Sequence, residues 1–94
     1  MERDIDSVQA LVGVASLNYL YRRLDNARAL LGLAQHLAPE SRSVKEFLTV
    51  VLVEMGDYPG ALSIIRSLER EGQVLAEEIA AVKSHVVAVL RAAA

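Results

Sequence analysis

The chain has 94 residues, of which 53% are hydrophobic and 23% are charged, and its formal net charge is −2. This length predicts one domain over residues 1–94, and the absence of cysteine excludes disulfides, thiolate zinc sites and cysteine nucleophiles. Acidic and basic residues alternate without the basic run that is typical of a nucleic-acid-binding protein. The charged start is unlike a signal peptide, and no apolar stretch is long enough to cross a bilayer, so we expect a cytoplasmic protein.

Helical periodicity predicts five helices, and therefore an all-α fold of antiparallel helix hairpins. The expected bounds are residues 7–23, 26–37, 43–55, 59–70 and 74–92. Side chains that can accept the free N–H groups of a first helical turn precede four of them: Asp6 or Ser7, Asp25, Ser43 and Asp57.

Proline and glycine mark the predicted helix ends. Pro39 stops the second helix, because the residue before a proline is biased away from helical backbone angles. Gly56 and Gly72 follow the third and fourth helices, where glycine readily takes a positive φ. Pro59 suits the first turn of the fourth helix. The short connections are typical of antiparallel helix pairs.

Two segments have a second interpretation. Residues 47–53 and 86–90 are rich in β-branched side chains, which also occur in buried strands. The caps and the flanking charges favour helix for both segments.

Ala27 and Ala61 are 34 residues apart and occupy equivalent places in two successive hairpins. Each follows a turn-like stretch, and each is followed four residues later by a branched apolar residue, Leu31 or Ile65. The small side chains of Ala27 and Ala61 allow two helices to approach closely. A shared period of this length is typical of stacked supersecondary units. The alternative is an ordinary antiparallel bundle, in which the same features also occur.

The residues that could carry chemistry form no recognisable motif. His36 and His85 are the only histidines, and they lie on separate predicted helices. Ser84 and His85 are neighbours on one helix and therefore point in different directions. No glycine-rich phosphate loop, metalloprotease motif or nucleophile elbow is present. We therefore expect a protein that is not an enzyme and that binds no cofactor or metal.

Paired charges lie at predicted helix ends. Arg22 and Arg23 end the first helix, where the helix dipole favours cations, although a phosphate or partner contact is the alternative. Glu77 and Glu78 lie in the first turn of the fifth helix, where the dipole favours anions. Neither pair requires a functional explanation.

The two hairpins that contain Ala27 and Ala61 resemble the tetratricopeptide repeat. This repeat is a 34-residue helix-turn-helix unit with the loose pattern W-x2-L-G-x2-Y, then A-x3-F, then P. The first unit matches in its second helix, through Ala27, Leu31, Ala34 and Pro39. The second unit matches in its turn and the alanine that follows, through Gly56, Asp57, Tyr58 and Ala61. The resemblance extends over about residues 8–90.

The chain also departs from this pattern. It has no tryptophan, and Lys45 takes the second unit's tryptophan place while Thr49 takes its small first-helix place. Gln73 stands where that unit would close on proline. The register then places Ile79, Val82 and Val86 on the first helix of a third, incomplete unit, so about two and a half repeats are expected.

The resemblance implies that the first helix of each unit lines a concave, partly apolar groove about one helix wide, which suits an amphipathic partner helix. The partner-binding residues that it implies are Val12, Ser16, Tyr19, Leu20, Val50, Val53, Glu54, Ala80, Ser84 and Val87. Further groove-facing places are Gln9, Ser43, Glu46, Glu77 and Ala88. The alternative is that part of this set belongs to the internal core.

Small, acidic, cysteine-free chains of this kind resemble the tetratricopeptide-like chaperones of bacterial type III secretion, in particular those of needle subunits. The resemblance implies a non-catalytic chaperone that holds an amphipathic helix of a secreted, polymerising subunit and keeps it soluble before export, beside a second small helical co-chaperone. Few repeats and a high apolar content also predict a stable partner or a homo-oligomer. The alternatives are a general interaction adaptor, or a structural subunit whose fifth helix pairs with a copy of itself.

Overall fold

The computed structural model describes residues 2–72 and 75–93, with side chains from residue 6 onward. This part of the chain is all-helical and contains no strand. Its helices are α1 (Glu2–Leu20), α2 (Leu24–Leu37), α3 (Arg42–Glu54), α4 (Tyr58–Arg70) and α5 (Glu77–Ala93). Residues 47–53 and 86–90 lie within α3 and α5, so the helical interpretation of both segments is confirmed and the strand interpretation is wrong.

The predicted caps of the first two helices are wrong. Because no glycine or proline interrupts residues 2–5, α1 already begins at Glu2, and Asp6 and Ser7 lie inside it. Arg23 holds the N-cap position of α2 and makes no side-chain capping bond. Asp25 lies instead in the first turn of α2, where the helix dipole still favours its carboxylate.

The predicted capping box of the third helix is also wrong, by two residues. Ser41 has extended backbone angles and its Oγ accepts a hydrogen bond from the Val44 N–H at 3.4 Å, so it is the N-cap of α3. Ser43 therefore lies within the helix. The carboxylate of Glu46 is 3.4 Å from the guanidinium of Arg42, one turn earlier, and does not cap the helix.

The turn before α4 follows the prediction. Asp57 Oδ1 accepts a hydrogen bond from the Gly60 N–H at 3.0 Å, and Pro59 lies in the first turn. Gly56 and Gly72 have φ angles of 82° and 74°, in the left-handed region that glycine enters without a steric penalty. Both glycines therefore end their helices in the expected way.

The turn between α1 and α2 differs from the prediction. The expected first helix continued to residue 23, but α1 ends at Leu20, and Arg22 takes a φ of 62°. A left-handed conformation is uncommon for a residue with a β-carbon, so no sequence signal marks this helix end.

The end of α2 is as predicted. The helix stops at Leu37, and Ala38, which precedes Pro39, leaves the helical region with a φ of −137°. The predicted start of the fifth helix at Val74, and Gln73 before it, lie outside the described residues. Leu75 and Ala76, which the prediction placed in that helix, are not helical, and α5 begins at Glu77.

The helices form two antiparallel hairpins, α1–α2 and α3–α4. They are joined through contacts between α2 and α3, and α5 packs against both α4 and α3. Ala27 and Ala61 are fully buried in the core that these elements share, as expected for close-packing positions. The buried residues of that core are Ala15, Ala27, Leu31, Leu48, Val51, Leu52, Ala61 and Val86.

Lys45 and Thr49 are buried polar residues of α3. The Lys45 side chain is 2% exposed, and its ammonium pairs with the carboxylate of Glu71 at the end of α4. Thr49 Oγ1 donates a hydrogen bond to the Lys45 carbonyl at 2.8 Å. Both polar groups are satisfied, as buried polar groups require. The lysine side chain, including its ammonium, therefore lies in the interior, where the carboxylate of Glu71 compensates its charge.

Candidate partner-binding groove

Side-chain contacts connect the first helices of the two hairpins, α1 and α3, and α5 packs against α3. The rings of Tyr19 on α1 and Phe47 on α3 meet edge to face with centroids 5.6 Å apart. Arg22, just after α1, forms a 2.9 Å salt bridge with Glu54 at the end of α3. α3 also contacts α5, and we call the groove-facing places that sequence analysis assigned on these three helices the α1–α3–α5 face.

The ten residues that sequence analysis assigned to partner binding divide by exposure. Six are half-buried: Val12, Ser16, Tyr19, Val50, Val53 and Val87. Four are exposed: Leu20, Glu54, Ala80 and Ser84. Val12, Tyr19 and Val53 pack against the buried core, so each contributes part of its surface to internal packing. Contact with a partner stays a prediction for the whole set.

Three of these polar side chains have internal partners: Ser16, Tyr19 and Glu54. Ser16 Oγ donates a hydrogen bond to the Val12 carbonyl at 2.9 Å, within its own helix. The Tyr19 hydroxyl donates a hydrogen bond to the Glu54 carboxylate, which raises the pKa of Tyr19. The same bond, together with that from Arg22, holds the pKa of Glu54 below its usual range. Glu54 thus links α1 to α3.

Phe47 and Arg22 are parts of this link that sequence analysis did not assign. They are separated from their partners by 28 and 32 positions, so no local helical spacing connects them. Both separations approach one repeat length. Neither contact joins equivalent places of the 34-residue period, because those of Tyr19 and Arg22 are Val53 and Gly56, so the period alone did not indicate them.

A small cavity of about 240 Å³ lies between α3 and α5, and we call it the α3–α5 pocket. Four of its lining residues are apolar and two are acidic: Phe47, Val50, Ala76 and Ile79, with Glu46 and Glu78. Val50 was a predicted partner-binding residue. The pocket therefore offers an apolar depression on the face that sequence analysis selected.

A second cavity, of about 410 Å³, lies along α5 and includes two further predicted residues, Ser84 and Val87. It is bordered by Lys83 and Arg91. Lys83 is already paired with Glu69 on α4 at 2.6 Å. This end of α5 is consequently more basic than the end that borders the α3–α5 pocket.

A larger cavity, of about 490 Å³, contains none of the predicted residues. It lies between α2 and α4 and is lined by Asp25, Arg28, Ala29, Gly32, Leu48, Leu52, Asp57, Gly60, Ser63 and Ile64. Ala29 and Ser63 are equivalent in the 34-residue period. Small side chains repeated at that interval were the signal that could have located this depression.

Large hydrophobic side chains are exposed on the first hairpin, and we call them the first-hairpin patch. In the part of the chain that the structure describes, they all belong to α1, α2 or the turn between them: Val14, Leu17, Leu20, Tyr21, Leu33 and Leu37. Leu20 and Tyr21 are the most open, at 75% and 71% exposure. Clustered exposed apolar residues typically mark an interaction surface.

The two histidines are exposed and lie apart. The His85 ring contacts the Tyr58 ring edge to face at 6.0 Å, and His36 lies near the end of α2. Among residues 2–72 and 75–93, no three His, Asp or Glu side chains are placed to hold a metal ion.

None of the described helices combines the length and the apolar character that a membrane crossing requires. Comparison of the chain with protein-family models, curated proteins and solved structures gave no match.

Proposed function

We propose that this protein is a non-catalytic cytoplasmic chaperone that binds an amphipathic helix on the α1–α3–α5 face. The bound helix would belong to a type III secretion subunit, which the chaperone keeps soluble before export. The observation that carries the proposal is a set of half-buried valines on α1, α3 and α5: Val12, Val50, Val53 and Val87. An apolar strip between helices is the surface that receives the apolar side of an amphipathic helix.

The first-hairpin patch supports a second partner. Val14, Leu17 and Tyr21 each leave more than half of their surface exposed, and covering such side chains is favourable by about 25 cal/mol per Å². We propose that a second small helical protein, acting as co-chaperone, covers this patch. The position of the patch on α1 and α2 argues against a homo-oligomer formed by α5 alone.

The decisive experiment is co-expression with the neighbouring open reading frames of the native host, followed by native mass spectrometry of the purified complex. The chaperone proposal expects a small, secreted helical subunit in that complex. Recovery of only non-secreted proteins would support the adaptor alternative instead. A fixed complex of identical chains would support the structural alternative.

Two variants separate the surfaces. Val50→Asp places a charge on the α1–α3–α5 face, and we expect it to release the secreted subunit while the co-chaperone stays bound. Val14→Asp makes the same change on the first-hairpin patch, and we expect the reverse. Circular dichroism checks that both variants fold. Retention of the secreted subunit by folded Val50→Asp, also in combination with Val53→Asp, would contradict the assignment of the binding face.

Light scattering on the isolated chain tests the chaperone against the adaptor. A chaperone with uncovered apolar surface is expected to self-associate as its concentration rises and to become monodisperse when the partner is added. An adaptor that binds short peptides reversibly would remain a monomer throughout.

A further inference from the structure

The α3–α5 pocket has an apolar floor, and two carboxylates line its sides. Phe47, Val50 and Ala76 are half-buried and Ile79 is 4% exposed, so the floor consists of hydrocarbon. Glu46 on α3 and Glu78 on α5 stand on the two helices that form the walls. Any side chain that enters the pocket therefore meets both an apolar surface and negative charge.

The protein neutralises this negative charge only in part. Glu46 has Arg42 beside it, with a long contact of 3.4 Å between Nε and Oε2. Glu78 makes no hydrogen bond or salt bridge within the described residues. The nearby lysines are engaged elsewhere, since Lys45 pairs with Glu71 and Lys83 with Glu69.

The helix dipole explains only one of the two acids. Glu78 lies in the first turn of α5, where a carboxylate is stabilised without any partner. Glu46 lies beyond the first turn of α3 and gains little from that dipole. The presence of both carboxylates at the apolar pocket is therefore not explained by the helix ends alone, because Glu46 lies at neither end.

On the basis of the proposed function, we infer that the α3–α5 pocket receives a lysine or arginine side chain of the bound helix. A helix that covers the pocket removes water from Glu46 and Glu78, and an apolar side chain would leave Glu78 without a partner and Glu46 with only its long contact to Arg42, which is unfavourable. The stem of a lysine or arginine can lie along Phe47 and Ile79 while its charged end reaches the carboxylates. A cavity of about 240 Å³ has room for one such side chain.

The partner that fits this face is therefore an amphipathic helix whose apolar side is bordered by basic residues. The groove-facing places near this pocket point the same way, because they include Glu46 and Glu77, whereas Lys83 and Arg91 border the separate cavity further along α5. Electrostatic complementarity of this kind selects among helices that have equally apolar sides.

Three synthetic helical peptides test the inference. They share one apolar side and carry lysine, glutamine or glutamate at the positions that border it, and their affinities for the intact chain are measured by isothermal titration calorimetry. We expect the lysine peptide to bind about tenfold more tightly than the glutamine peptide, because two partly exposed ion pairs are gained. The glutamate peptide should bind most weakly, and the differences should shrink at high salt.

Substitutions in the pocket provide the matched control. The double variant Glu46→Gln with Glu78→Gln should remove the preference for lysine. The double variant Asp6→Asn with Glu40→Gln changes the net charge by the same amount at exposed positions outside the pocket, and it should retain the preference.

The outcomes distinguish the two proposals. Equal binding of all three peptides, with loss of binding in Val50→Asp, would overturn the inference and leave the proposed function standing. A preference that persists in Glu46→Gln with Glu78→Gln would overturn it as well. If no peptide binds the folded chain, the binding face itself is wrong, and the inference fails with it.

Discussion

The buried ion pair of Lys45 and Glu71 predicts an asymmetric response to mutation. The Lys45 side chain is 2% exposed, whereas that of Glu71 is 38% exposed. Removal of the carboxylate in Glu71→Ala leaves an ammonium group in the interior without its partner. Removal of the ammonium in Lys45→Met leaves a carboxylate that water already reaches, and the methionine retains most of the lysine stem.

The expected magnitudes follow from this difference. Loss of one member of a fully buried pair costs about 3–5 kcal/mol, and the partly open position of Glu71 reduces this to about 2 kcal/mol for Glu71→Ala. Lys45→Met should change the free energy of unfolding by less than about 1 kcal/mol, because an apolar side chain of similar volume replaces the pair well. The double variant should therefore be more stable than Glu71→Ala alone.

Urea unfolding followed by circular dichroism measures these free energies for the wild type, the two single variants and the double variant. The double-mutant cycle isolates the interaction between the two side chains. The reasoning is refuted if Glu71→Ala costs no more than Lys45→Met, or if Lys45→Met fails to rescue Glu71→Ala.

Three further predictions concern helix packing, pH and capping, and each is measured by the same unfolding assay. Ala27→Leu should lower the free energy of unfolding by about 1–3 kcal/mol, because Ala27 is fully buried between helices. Ala29→Leu, at an exposed position of α2, should leave it nearly unchanged. Equal losses in the two variants would contradict the close-packing role of Ala27. Glu54 has a lowered pKa, so its contribution is present above the pH at which glutamate titrates in the unfolded chain and is lost as the pH falls through the lowered value. The stability difference between wild type and Glu54→Gln should therefore narrow on acidification, and a constant difference would refute this assignment. Asp57→Ala should cost about 1 kcal/mol through loss of the N-cap of α4, whereas Ser43→Ala, at the wrongly predicted cap, should cost less than half as much.

Sequence analysis predicted the helices well because their signals are local. Apolar periodicity, a proline at Pro39 and glycines at Gly56 and Gly72 act within a few residues, and the helix ends that they mark agree with the structure. Helix starts were less predictable, because Ser41 and Ser43 are both able to cap and the path of the preceding chain selects between them.

The candidate face could be predicted only in outline. The shared period indicates which helices are equivalent, and two side-chain contacts do connect α1 and the turn after it with α3. The period does not indicate which side chains on that face are used internally. Glu54 was assigned to a partner, but it is held by Tyr19 and Arg22 through contacts between distant segments. Such contacts depend on the angle between helices, which no local spacing encodes.

The left-handed residue in the first turn has a consequence for how the two hairpins are joined. Arg22, at a φ of 62°, bears a conformational penalty of about 1–2 kcal/mol, and its side chain forms a salt bridge with Glu54 of the second hairpin. One turn residue therefore combines a backbone penalty with a contact between the hairpins. Arg22→Gly would remove both, and the packing of α2 against α3 would still join the two hairpins.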